Sequence, residues 1–124
     1  MPERADRNTL RDGHAAESVA CRHLEERGLS LIARNFRSLF GEIDLIMRDG
    51  DSIVFVEVRR RASTEFGAPA ETVGGRKQQR LRATAEFFLQ RHPAESQKPC
   101  RFDIVAITDE HGTTKIEWLR DAFQ

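Results

Sequence analysis

The stretch GEIDLIMRDGDSIVFVEVRR, residues 41–60, decides the fold of this chain. It contains two predicted strands, 41–47 and 52–60, and the second is a near-continuous run of β-branched and aromatic residues, which favour strands. Between them, the segment DGDS at residues 49–52 has the composition of a tight turn. Strands joined by so short a turn run antiparallel. The stretch is therefore predicted to form a β-hairpin.

Outward from this hairpin, the spacing of apolar residues is helical in two segments and strand-like in three others. The predicted elements are a helix from an Asn8 or Thr9 cap to Gly28, strands at 29–36, 41–47 and 52–60, a helix at 76–91, and strands at 101–108 and 114–120. The predicted buried stripe of the second helix consists of Leu81, Ala85, Phe88 and Leu89. The order α-β-β-β-α-β-β predicts an α/β domain in which helices cover the faces of a mixed sheet.

The length of 124 residues suits one domain, predicted to cover residues 1–124. Residues 1–8 are predicted to be a disordered tail, and residues 61–75, rich in Ala, Ser, Thr, Gly and Pro, a mobile loop. No run approaches the roughly 20 apolar residues that span a bilayer, and the first residues are polar and charged. We therefore expect a soluble, cytoplasmic protein that does not bind membranes.

The charged residues and the cysteines exclude some classes of function. The formal net charge is zero, from 20 basic and 20 acidic residues, which argues against a polycation that coats nucleic acid. Most basic residues are arginines, whose forked guanidinium matches phosphate, although a GC-rich genome is an alternative explanation. Cys21 and Cys100 belong to no Cys/His cluster, which argues against zinc. Both are predicted to be small core residues in a reducing compartment.

Two carboxylates interrupt the apolar runs of the hairpin. Because side chains alternate along a strand, Asp44 is predicted to share a face with Glu42. The opposite face of that strand is predicted to carry Ile43, Leu45 and Met47. On the second strand Glu57 is predicted to share a face with Arg59. If the two polar faces coincide, the carboxylates of Asp44 and Glu57 approach each other.

Burying two neighbouring carboxylates is unfavourable, and their proximity raises the pKa of one of them. A divalent cation removes both problems, and Mg²⁺ prefers carboxylates, waters and phosphate oxygens. We therefore predict that Asp44 and Glu57 bind Mg²⁺ or Mn²⁺, with the Val58 carbonyl as a further candidate ligand. Glu17, beside the apolar stripe of the first helix, is a candidate for holding a metal-bound water or a second ion.

Each carboxylate also has an explanation without function. Glu57 and Arg59 could form an ion pair on a half-exposed strand. Asp44 could be a solvated residue close to a turn. Glu17 could be one of the many glutamates that lie beside the apolar stripe of a helix.

Seven segments carry a resemblance: Gly13 with Ala16-Glu17, RNFR at 34–37, GEIDLIMRDG at 41–50, VFVEVRRR at 54–61, FGAPAETV at 66–73 followed by Lys77, RFDIVAI at 101–107, and Ala122-Phe123. With them the chain resembles the YraN-like family of bacterial proteins, a UPF-type family. That family is similar to archaeal Holliday-junction resolvases and to the wider PD-(D/E)xK nuclease superfamily. The resemblance implies a restriction-endonuclease-like αβββαβ core with a mixed five-stranded sheet.

The resemblance also implies roles for single residues. Asp44 matches the motif Asp, Glu57 the (D/E), and Glu17 the helical Glu of the resolvases. Arg59 falls on the motif Lys, which is a departure, because arginine stabilises phosphate charge but does not deprotonate to act as a base. Lys77, at the start of the second helix, is a candidate substitute for that lysine, and a solvated helix-start residue is the alternative.

The function that follows is metal-dependent hydrolysis of DNA phosphodiesters, with branched or single-stranded DNA as substrate and Arg59 clamping the transition state. The arginines predicted to follow the flanking DNA backbone are Arg60, Arg61, Arg76, Arg80 and Arg82. No aromatic stacking platform is evident, so base-specific recognition is not predicted. The alternatives are a non-catalytic DNA-binding or adaptor module and an enzyme for another phosphorylated substrate. Analogy with resolvases, which act on two symmetric strands, implies a homodimer.

Overall fold

The computed structural model describes residues 3–62 and 73–123, and the side chains of residues 14–60 and 73–123. The elements are helix α1 (Glu3–Glu25), strands β1 (Ser30–Arg37), β2 (Glu42–Asp49) and β3 (Ser52–Ala62), helices α2 (Gly75–Arg91) and α3 (Pro93–Ser96), and strands β4 (Cys100–Glu110) and β5 (Thr113–Phe123). Every predicted helix and strand is present, and the short α3 is an addition. No helix in the described part of the chain is long and apolar enough to cross a bilayer.

The five strands form one sheet in the order β1-β2-β3-β4-β5. Strands β3 and β4 are parallel, and the other neighbours are antiparallel. A parallel pair needs a long crossover connection, which here contains α2 and α3. The mixed five-stranded sheet flanked by helices confirms the predicted α/β class and is consistent with a restriction-endonuclease-like fold.

Each face of the sheet carries its own apolar core. Under α1, the helix residues Ala20 and Leu24 pack against side chains of β2, β3 and β4. Under α2, Phe88 is fully buried against the opposite face. The predicted stripe of α2 is confirmed, with Leu81, Ala85 and Phe88 buried and Leu89 partly buried beside them. Truncating a buried phenylalanine to alanine typically costs about 3–5 kcal/mol, so this face contributes much of the stability.

Several predicted element ends differ from the structure. Helix α1 begins at Glu3, inside the predicted tail, because Glu, Arg and Ala favour helix and the weaker formers cost only a few tenths of a kcal/mol. Pro93, expected only to follow α2, begins α3, since its fixed φ suits a first helical turn. Strand β3 continues to Ala62, into the predicted loop at 61–75. Residues 63–72 of that loop lie outside the described residues.

The two cysteines are free thiols with different surroundings. Cys21 is buried in the core under α1, as predicted. Cys100 is exposed, so its assignment to the core is wrong. The reason is its place as the first residue of β4, where the strand has only begun to enter the sheet.

Side chains of β2 change face around Asp44. Leu45 and Met47 pack in the core under α1, whereas Ile43 packs in the core under α2. The prediction that these three residues share one face is therefore wrong. The β2–β3 ladder ends at the pair Leu45 and Val56, while β1 still pairs with β2 at Ile43, so the change of face falls where β2 parts from β3.

Candidate metal centre

The candidate site lies where β2 and β3 stop pairing. Beyond Leu45 and Val56, the Val58 N–H donates a hydrogen bond to Asp44 Oδ2 at 2.8 Å instead of to a main-chain carbonyl. A cavity of about 380 Å³ adjoins this break. It is lined by Gly41, Glu42, Asp44, Glu57, Lys77, Arg80 and Leu81. The structure therefore brings both predicted carboxylates and Lys77 to one cavity.

The pKa of Asp44 is far above that of an ordinary aspartate. Burial raises this pKa most, and the hydrogen bond from Val58 lowers it. The carboxylates of Glu57, Glu17 and Glu42 raise it further, and the resulting pKa is about 7. Near neutral pH the side chain is thus divided between its protonated and charged forms. A divalent cation would compete with that proton for the same oxygen atoms.

Three carboxylates converge beside the cavity. Glu17 comes from α1, Glu42 and Asp44 come from β2, and one oxygen of each lies within 4.8 Å of the others. Glu17 Oε1 is buried, and no hydrogen-bond donor reaches it among the described side chains. Its ion-pair partner is Arg34, whose Nη2 lies 3.7 Å away. A buried oxygen without a hydrogen bond, next to two further carboxylates, fits a hard cation that takes oxygen ligands.

Glu57 reaches the cavity from β3 and contacts its cations. The side chain is 8% exposed and forms an ion pair with Lys77. Its Oε2 also lies 3.9 Å from Arg59 Nε. Asp44 therefore has carboxylates as its charged neighbours, Glu57 among them, whereas Glu57 also has two cations beside it. That Asp44 and Glu57 bind one metal ion together stays a prediction.

The arginines predicted to contact DNA divide into two groups, the first of which lies on α2. Arg80 lines the cavity, and Arg76 is exposed near the start of the helix. Arg82 donates a hydrogen bond to Gln78 Oε1 at 3.3 Å. Only Arg80 of this group is placed against the carboxylates of the site.

The second group lies on β3. Arg60 Nη2 donates to Asp109 Oδ2 at 2.9 Å, which directs it towards β4. The side chain of Arg61 lies outside the described residues. A DNA contact by either arginine stays a prediction.

Sequence reasoning did not single out Glu42 as a ligand. The signal was present, because Glu42 precedes Asp44 by two residues and was predicted on the same face. In the structure Glu42 Oε2 accepts a hydrogen bond from Arg37 Nε at 2.6 Å. The Glu42 side chain also lines the cavity. Glu42 is therefore a third candidate ligand beside Asp44 and Glu17.

Along most of its length the chain is similar to one family of bacterial proteins. Residues 16–107 match the model described as "Uncharacterised protein family UPF0102". A UPF0102 protein of Nitrosococcus oceani is 50% identical over 117 residues, which is 94% of each chain. A UPF0102 protein of Pseudomonas fluorescens is 47% identical over 118 residues, 95% of this chain and 97% of the relative. Another from Pseudomonas aeruginosa is 42% identical over 121 residues, with the same two coverages.

Proposed function

The chain belongs to the uncharacterised protein family UPF0102, and we propose that it is a metal-dependent nuclease that hydrolyses DNA phosphodiesters. The observation that carries the proposal is the convergence of Glu17, Glu42 and Asp44 beside a cavity that also holds Lys77 and Arg80. Carboxylates are the protein ligands that Mg²⁺ prefers, and cationic side chains bind phosphate. The cavity thus combines the two kinds of group that phosphodiester hydrolysis requires.

The residues that would hold Mg²⁺ or Mn²⁺ are Asp44 and the neighbouring carboxylates. Asp44 is the first candidate ligand, because burial disfavours its negative charge and a bound cation would offset that cost. Glu17 Oε1 supplies a buried oxygen that lacks a hydrogen bond. When bound, such a cation lowers the pKa of a water and neutralises charge on the phosphate.

Lys77 is the residue we assign to the role of the motif lysine. Its ammonium group reaches the cavity from α2 and pairs with Glu57, which holds it in position. The ammonium group of a lysine can exchange a proton with a reacting oxygen, whereas the guanidinium of Arg59 does not. We therefore assign proton transfer to Lys77, and stabilisation of phosphate charge to Arg59 and Arg80.

One observation favours a second candidate function. The charge of Glu57 is balanced by Lys77 and Arg59, so this carboxylate does not depend on a metal ion. A non-catalytic nucleic-acid-binding or adaptor module could use the same cavity as an anion site. Such a module would bind DNA equally well without a divalent cation.

Cleavage of labelled single-stranded, duplex, flap and four-way-junction DNA in Mg²⁺ or Mn²⁺ tests the proposal. Asp44→Asn and Glu57→Gln should each reduce cleavage by about 100-fold or more, the range seen when a group that stabilises transition-state charge is removed. Glu117→Gln, which changes an exposed carboxylate on β5, should cleave normally. Binding without cleavage by the wild type would favour the adaptor. Cleavage that survives in both site variants would contradict the assigned site.

We further propose a cytoplasmic location, where DNA is present and thiols stay reduced. Both cysteines are free thiols, which suits such a compartment. Formation of a homodimer stays a prediction from the resemblance to resolvases.

A further inference from the structure

The turn between β1 and β2 exposes two large apolar side chains. Leu39 is fully exposed and Phe40 is 54% exposed. The other exposed large hydrophobic residue in the described part of the chain is Leu31, which is 38% exposed. A single exposed leucine needs no explanation, but two adjacent apolar residues at the tip of a turn mark a candidate contact surface.

This turn is fixed to helix α2. Ser38 Oγ lies 2.9 Å from Oγ1 of Thr84, a fully buried residue of that helix. The Ser38 N–H donates to the Gly41 carbonyl at 2.8 Å, and the Phe40 N–H donates to Ser38 Oγ at 3.0 Å. Gly41 has a φ of 156°, which L side chains rarely adopt. The apolar tip therefore has a defined position on the protein.

The same turn leads directly into the proposed nuclease site. Gly41, the residue after Phe40, lines the cavity together with Lys77 and Arg80. Arg37, on the other side of the turn, has a largely exposed side chain. The exposed tip and the cavity cations therefore lie on adjoining parts of the surface, where a single DNA strand can contact both.

We propose that Leu39 and Phe40 form a wedge that stacks on a base at an interruption of the double helix, next to the phosphate in the cavity. The ligand class is DNA with broken base stacking, such as a flap, a bubble or a four-way junction. Apolar side chains that enter a base step must unstack it, and this is easiest where bases are already unpaired. The inference rests on the proposed DNA substrate, but it concerns binding and needs no hydrolysis.

Sequence alone did not indicate this contact, because the segment Ser38 to Gly41 contains a single aromatic residue. A stacking platform is recognised in a sequence by several aromatic residues in a strand pattern. One aromatic residue becomes significant only when its exposure and its distance along the chain from the cavity are known. Both are supplied by the structure of the turn.

Binding of the full chain to fluorescent flap, junction and continuous duplex DNA tests the wedge. The probes carry phosphorothioate linkages at the branch to resist hydrolysis, and 2-aminopurine as the branch base, in Mg²⁺. Phe40→Ala should weaken flap binding by about 10-fold, the loss typical of one stacking contact, and abolish the 2-aminopurine response. Duplex binding should change little, and Phe40→Trp should restore flap binding. Leu31→Ala, which removes the exposed leucine of β1, is the matched control and should bind as the wild type.

The outcomes separate the wedge from the nuclease. Flap binding that depends on Phe40 in a protein that cuts no DNA would support the wedge and refute the nuclease. DNA cleavage with flap binding unaffected by Phe40→Ala would leave the nuclease and overturn the wedge. Equal losses on flap and duplex, or no DNA binding by the wild type, would also overturn it. Melting temperatures of the variants should match that of the wild type, because Phe40 is exposed and outside both cores.

Discussion

The main-chain N–H of Val58 donates a hydrogen bond to the carboxylate of Asp44 at 2.8 Å, across the point where β2 and β3 stop pairing. In a regular ladder, a main-chain carbonyl would accept this bond. Asp44 therefore closes the break in the sheet and remains beside the cavity. The bond lowers the pKa of Asp44, but burial and three neighbouring carboxylates outweigh it. Such a residue is retained at a cost in stability, which is common at functional sites.

Asp44→Asn is expected to stabilise the protein at pH 8 when divalent cations are absent. Folding raises the pKa of Asp44 from 3.8 to about 7, so between these values the folded state binds the proton more tightly. The contribution of Asp44 to the free energy of unfolding therefore falls as pH rises through this window. The total is at most a few kcal/mol, at about 1.4 kcal/mol per pKa unit. Asparagine stays neutral, and its Oδ1 can still accept the bond from Val58.

Urea unfolding in EDTA at pH 5 and pH 8 measures this effect. The difference between the variant and the wild type should be largest at pH 8 and should shrink at pH 5. A variant that is less stable than the wild type at pH 8 would show that the charge of Asp44 does not destabilise the folded state.

Asp103→Asn is expected to have the opposite effect. Asp103 on β4 is fully buried, but it accepts hydrogen bonds from Arg101 Nε at 3.0 Å and Trp118 Nε1 at 2.9 Å. It also accepts one from the Asp121 N–H at 2.9 Å. Removing its charge weakens these hydrogen bonds and leaves Arg101 paired with Asp49, which should cost about 1–3 kcal/mol. The same urea experiment at pH 8 measures the free energy of unfolding of both variants. If Asp44→Asn and Asp103→Asn changed it in the same direction, the predicted difference between the two buried carboxylates would be wrong.

The variant Lys77→Arg should distinguish two roles of Lys77, the ion pair with Glu57 and the assigned proton transfer. Arginine can still pair with Glu57, so the melting temperature should change little. Cleavage should fall by about 100-fold if the group at this position must transfer a proton, because arginine stays protonated. Lys77→Gln should lose cleavage and also about 1 kcal/mol of stability, since the pair is half exposed. Undiminished cleavage by Lys77→Arg would exclude the assigned role.

Arg80→Gln should reduce the salt dependence of DNA binding. Loss of one phosphate contact lowers the slope of log binding constant against log salt concentration by about 0.7–0.9. Arg60→Gln is the comparison, because its guanidinium already pairs with Asp109 and Arg60 is not among the residues that line the cavity. Fluorescence anisotropy at several salt concentrations measures both slopes. A larger effect of Arg60→Gln would place the DNA path along β3 instead.

Local patterns predicted the features that depend on neighbouring residues. The DGDS turn and the near-continuous β-branched and aromatic run that ends at Arg60 predicted the β2–β3 hairpin, which is present. The helical spacing from Leu81 to Phe88 predicted the buried face of α2. Asp44 and Glu57 were expected near each other from alternation alone, and they line one cavity.

Features that depend on distant partners were not predictable in this way. No local signal shows that the β2–β3 ladder ends at Leu45, where the side chains of β2 change face, so Ile43 was assigned to the wrong face. Asp44 and Asp103 also look alike in sequence, since each follows the start of an apolar strand. They differ through their partners, because Trp118 reaches Asp103 from another strand.

Titration of the protein with Mn²⁺, followed by calorimetry and by the electron paramagnetic resonance signal of free Mn²⁺, tests the metal centre most directly. The wild type should bind about one ion per chain at the carboxylates of Glu17, Glu42 and Asp44 and release more protons at pH 6.5 than at pH 8.5, since Asp44 must deprotonate. Asp44→Asn should lose this site, and Glu117→Gln should retain it. Equal Mn²⁺ binding by Asp44→Asn and wild type, or no binding by either, would contradict a metal centre at this break in the sheet.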